Sequence, residues 1–91
     1  MKVRKKPVVV EAWQMHRIIG GDIEFDLPPR WVTDALSRGI IRRPDPGEWE
    51  VHTWEGILTA HDGDYLVKGV KGELYPIQRE IFEETYEVLQ E

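Results

Sequence analysis

Between Glu48 and Trp54 the chain alternates, with Trp49, Val51 and Thr53 on one parity and Glu50, His52 and Trp54 on the other. That period of two is the pattern of a strand with one buried face. Glu55-Gly56 turns the chain, Ile57-Leu58-Thr59-Ala60 returns it, Asp62-Gly63 turns it again, Tyr65-Leu66-Val67-Lys68 runs out, and Leu74-Tyr75-Pro76-Ile77 comes back after Lys71-Gly72. Four strands joined by such short turns predict antiparallel neighbours in a β-meander. Upstream, the run from Lys6 to Gln14 is rich in β-branched and aromatic residues and predicts a first strand. Pro7 stands at its start, where a missing N–H is tolerated, and apolar residues on both parities predict a central place in the sheet.

The period changes after Pro28-Pro29. Trp31, Val32, Ala35 and Leu36 recur at helical spacing, proline suits a first helical turn, and Gly39 supplies a C-terminal cap, so a helix is expected from near Pro29 to Arg38. Ile40 and Ile41 lead into a short strand, and Pro44-Asp45-Pro46-Gly47 forms a turn. Gly20-Gly21-Asp22 marks a loop, with Ile23-Glu24-Phe25 a short extended piece. A second helix is expected from near Gln78 to Tyr86, with Ile81, Phe82 and Tyr86 on one face, and Val88-Leu89 either continue it or form a last strand. The fold class is therefore α+β: a mainly antiparallel sheet of about five strands, with two short helices covering one face of it or closing one end. Tyr65, Tyr75, Phe82 and Tyr86 are expected to cluster where the second helix meets the sheet.

At 91 residues, 41% of them hydrophobic and four of them tryptophan, the chain suits one domain, residues 1–91, with one modest core. It has no cysteine, which leaves neither a disulfide framework nor a thiolate metal site. No apolar run approaches the ~20 residues of a membrane span, and no apolar stretch of ~7–15 residues follows the basic start as in a signal peptide. A cytoplasmic setting is expected. Charge is uneven: Lys2, Arg4, Lys5 and Lys6 make a basic arm over residues 1–6, leaving eight basic against seventeen acidic residues, a net −9, in the remainder. Such a body repels phosphate, so nucleic acid is not expected as the partner.

Two surfaces could carry a function. Trp49 and Trp54 have opposite parity, so on a regular strand one of them leaves the core and offers an anchor for a partner chain. Lys68 and Lys71, among Gly63, Gly69 and Gly72, could instead hold an anion on backbone N–H groups, with Arg42-Arg43 extending the basic patch; hairpin geometry also accounts for those glycines. His61-Asp62-Gly63-Asp64 is the one short run with metal-ligand atoms, but it lacks the remaining ligands and reads as a tight turn, so no metal, cofactor or catalytic residue is assigned. Three functions follow in order: a non-enzymatic protein-interaction module, with a homodimer among its expected forms; a binder of a small nucleotide-like anion; and, last, an enzyme using His52 or His61. Ser37 has no base in sequence reach, which leaves acyl transfer without support.

Two stretches also carry a family likeness. The opening Arg4-Lys5-Lys6-Pro7-Val8-Val9-Val10-Glu11-Ala12 and the run from Gly63 to Ile77, followed by Ile81 to Val88, resemble a family of small uncharacterised proteins of bacteriophages, prophages and their bacterial hosts. The resemblance implies a phage or prophage origin, a cytoplasmic setting in an infected or lysogenic bacterium, and no particular reaction; the interaction module is then expected to dock on a host or phage protein. Where many members carry a cysteine after Tyr-Pro this chain has Ile77, so the resemblance implies no catalytic thiol there.

Overall fold

The first helix is delimited by its ends. In the computed structural model α1 spans Arg30–Ser37, with Pro29 as the extended N-cap residue whose carbonyl accepts from the N–H groups of Val32 and Thr33. Its other end is closed by two bonds, Gly39 N–H to the Leu36 carbonyl and Ile40 N–H to the Ala35 carbonyl, with Gly39 at φ +74°. This Schellman arrangement needs a left-handed residue at Gly39 and turns the chain directly into the next strand. The structure describes residues 1–4, 6–16, 18–19, 22–23 and 28–89.

The strands are β1 (Glu11–Gln14), β2 (Ile18–Ile19), β3 (Asp22–Ile23), β4 (Ile41–Arg42), β5 (Glu48–Thr53), β6 (Gly56–His61), β7 (Tyr65–Lys68) and β8 (Leu74–Ile77), and the second helix, α2, is Arg79–Thr85. All pairings are antiparallel. They form two three-stranded sheets, in the orders β1-β7-β8 and β4-β5-β6, and the small ladder β2-β3. The α+β class stands, and the meander is divided: β5 pairs with β6 and β7 with β8, but the turn at Asp62-Gly63 carries the chain from one sheet to the other. Glu24, Phe25, Gly20 and Gly21 lie outside the described residues, and Val88-Leu89 belong to neither a strand nor α2.

The first strand differs from expectation in length and place. It begins at Glu11 and lies at a sheet edge, not centrally. Its register, Glu11 opposite Lys68 through Gln14 opposite Tyr65, ends where β7 ends, because beyond Lys68 that chain enters the hairpin turn to β8, closed by the Gly69 N–H on the Glu73 carbonyl and the Gly72 N–H on the Gly69 carbonyl. Val8, Val9 and Val10 have strand propensity, but their neighbour has left the ladder.

Alternation along β1, β7 and β8 sorts the two faces of that sheet. Trp13 and Leu66 enter a core shared with Trp49, Val51 and Ala60 of the other sheet, with Ile41, Met15, and Val32 and Ala35 of α1. On the opposite face Phe82 of α2 stacks on Tyr65 (3.8 Å between ring centroids) and on Tyr86 (4.8 Å). The expected aromatic cluster is present. The helices do not share a face, however: α1 feeds the shared core and α2 covers the other side of the β1-β7-β8 sheet.

Candidate functional site

Of the two tryptophans proposed for a surface, only Trp54 is there. Trp49 is fully buried, lies edge-on to Trp13 (5.8 Å, 80°), and donates its indole N–H to an Asp62 carboxylate oxygen at 2.7 Å. Its parity with Val51 places it on the inward face of β5, so Trp49 is a core residue and not part of a partner surface. Trp54 sits past the end of β5 in the two-residue turn to β6, with 99% of its surface exposed. The turn is held by the Thr53 hydroxyl, which accepts from the Glu55 N–H (3.1 Å) and donates to the Gly56 carbonyl (2.9 Å). Ile57 and Leu58 of β6, an edge strand, are also exposed but on opposite faces, Ile57 opposite His52 and Leu58 opposite the core residue Val51. An indole, an isoleucine and a leucine thus stand in solvent on a braced hairpin end.

The basic residues do not converge on an anion site. Arg43 is committed to the fold: one guanidinium nitrogen donates to the His16 carbonyl (2.9 Å), the other to Asp62 (3.2 Å), and the group lies over the Trp49 ring at 5.3 Å from its centroid. Lys68 faces Glu11 across the ladder at 3.9 Å. Lys71 is exposed in the β7–β8 turn, but its backbone N–H already donates to the Glu73 carboxylate (3.0 Å). That carboxylate also packs over Gly69, where any Cβ would collide with it. The chain's own acid therefore fills the nest that an external anion would need. Arg42 is exposed on β4, opposite Glu50 of β5, in the sheet that does not contain Lys68.

The His61-Asp62-Gly63-Asp64 run acts as a joint, a role its local sequence does not display. Asp62 receives Trp49 and Arg43, while Asp64 receives the backbone N–H groups of His61 (3.0 Å) and Arg79 (3.1 Å), the latter at the start of α2. Gly63, at φ +97°, donates to the Met15 carbonyl, and Met15 N–H donates back to the Asp64 carbonyl, both at 2.8 Å. Both carboxylates are thus occupied by protein donors, and among the described residues no group of three or more His, Cys, Asp or Glu is placed to hold a metal ion. His52 and His61 lie at opposite ends of the β5–β6 hairpin, opposite Ile57 and Glu48. His61 is exposed, 4.0 Å from Asp64, and His52 Nε2 is buried with no hydrogen-bond partner among the described residues.

A second surface was not apparent from local sequence. On the face covered by α2, residues 6–10 and 85–89 line an open groove of about 1530 Å³ above Tyr65, Tyr75 and Phe82. Burial first, then the Tyr86 hydroxyl and the Glu73 carboxylate, push the Tyr75 phenol up to about 12. Among the described residues no helix is long and apolar enough to cross a membrane. Comparison with protein-family models, with curated proteins and with solved structures finds no match.

Proposed function

We propose that this chain is a non-enzymatic interaction module of phage or prophage type, which docks on a host or phage protein by inserting Trp54 into an apolar pocket of that partner. The observation that supports this reading is the 99% exposure of an indole on a turn braced by two hydrogen bonds. A tryptophan there contributes almost nothing to the chain's own core, yet burying such a side chain against a partner removes about 150–250 Å² of surface from water. Anchors of this kind dominate interface energetics, with truncation costs of about 2 kcal/mol or more. Ile57 widens the apolar contact and Glu55 favours a partner with a cation on the pocket rim.

The experiment compares proteins recovered from a host lysate by the wild-type chain and by Trp54→Ala. A partner retained by the first and lost by the second supports the reading, and equal recovery of every partner overturns it.

A further inference from the structure

The arm before β1 has the composition of a strand and no ladder to join. Val3, Val8 and Val9 are 83%, 54% and 78% exposed, and β7 gives way to its hairpin turn after Lys68, the partner of Glu11, so it offers the arm no further strand to pair with. The arm is also basic, through Lys2, Arg4, Lys5 and Lys6. Toward the far side the charge reverses: Glu87 lines the groove, α2 just before it carries Glu80, Glu83 and Glu84, and their one cation, Arg79, is 3.2 Å from Glu83. Among the described residues no ion pair joins the arm to these carboxylates. Val88 and Leu89, 78% and 59% exposed, add apolar surface on the acidic side.

One chain therefore carries both halves of a complementary contact, with no ion pair between them among the described residues. We propose that this face binds a second copy of the chain, with the arm of each copy laid in the open groove of the other, beside the wall that residues 6–10 of that copy already form. Val8 and Val9 of each copy pack over the half-buried Tyr65 and Tyr86 that flank the buried Phe82 of the other, Lys6 meets Glu87, and Lys2 and Arg4 reach the carboxylates of α2 at the groove edge. A two-fold axis makes both contacts at once, because in such an interface every contact occurs twice. Trp54 is not among the residues lining this groove, so the assembly is independent of the partner contact proposed above.

The test is the mass of the full chain by sedimentation equilibrium at about 0.05 M and 0.5 M NaCl. A dimer is expected at low salt, with its dissociation constant raised about tenfold at high salt as screening shortens the reach of exposed charges. Lys2→Glu, Arg4→Glu and Lys6→Glu together, in an exposed segment outside every ladder, should give a folded monomer by circular dichroism. Glu80→Lys, Glu84→Lys and Glu87→Lys together should do the same, and mixing the two variants should restore a dimer. A wild-type chain that stays monomeric at low salt overturns the proposal, as does an arm variant that still dimerises, or a mixture that stays monomeric. Trp54→Ala should leave the dimer unchanged; a dimer lost by that substitution places the contact elsewhere and also overturns it.

Discussion

Replacing Asp62 by alanine should destabilise the chain far more than its place in a turn suggests. The carboxylate accepts from Trp49 at 2.7 Å and from Arg43 at 3.2 Å, and Trp49 has no exposed surface, so the substitution orphans an indole N–H that water cannot reach. An orphaned buried donor costs about 1–3 kcal/mol. The lost bond to Arg43, in a pair whose side chains are 16% and 28% exposed, adds about 1 kcal/mol. A total of about 2–4 kcal/mol, set against the ~5–15 kcal/mol of a typical domain, leaves a folded protein with its melting temperature lowered by roughly 10–25 °C. Urea denaturation followed by tryptophan fluorescence and far-ultraviolet circular dichroism measures the loss. Asp62→Asn keeps one carbonyl acceptor for the indole and removes the charge, so it should fall between wild type and alanine. A loss below about 0.5 kcal/mol for alanine, the level of an ordinary surface change, would refute the joint assigned to this residue.

Trp54→Ala should leave stability within about 0.5 kcal/mol of wild type in the same assay, since the side chain is 99% exposed; a larger loss would mean that the indole supports the fold. Phe82→Ala, at a ring 6% exposed between Tyr65 and Tyr86, should cost about 3 kcal/mol, and a loss under 1 kcal/mol would show α2 to be held by something else. Tyr75 ionises near 12 in the fold against its ordinary 10.0, so its stabilising contribution is fully present below pH 10 and is lost as pH rises from 10 towards 12, where the unfolded chain alone sheds the proton. Ultraviolet titration should show a late-ionising phenol that disappears in Tyr75→Phe, and an unchanged late step in that variant would assign it to another tyrosine.

Both helices were legible to within a residue or so, because each is marked by features within its own few residues: Pro29 and Gly39 around α1, and the Ile81, Phe82 and Tyr86 spacing in α2. The strands from β5 to β8 were legible by alternation and turn residues. The division into two sheets was not, since pairing of β7 with β1 or with β6 depends on segments distant in sequence. The arm shows the same limit in reverse: three valines in a row state a propensity, and only the hairpin turn after Lys68 decides that it goes unused. The expectation that one of Trp49 and Trp54 leaves the core holds, but only Trp49 owes its place to strand parity: Trp54 is exposed because it stands in the turn past β5. Asp62 and Asp64 read as turn residues because their partners Trp49, Arg43 and Arg79 become neighbours only in the folded chain.

The order of strands in the β1-β7-β8 sheet has a consequence for synthesis on the ribosome. β1 is made first, yet its partner β7 is made only after α1, β4, β5 and β6. The β5–β6 hairpin can close locally as it emerges, whereas β1 must pay the closure entropy of a long intervening loop. The basic, valine-rich start of the chain is therefore in solvent throughout elongation, and four lysines and arginines in its first six positions act as gatekeepers against premature aggregation of that run.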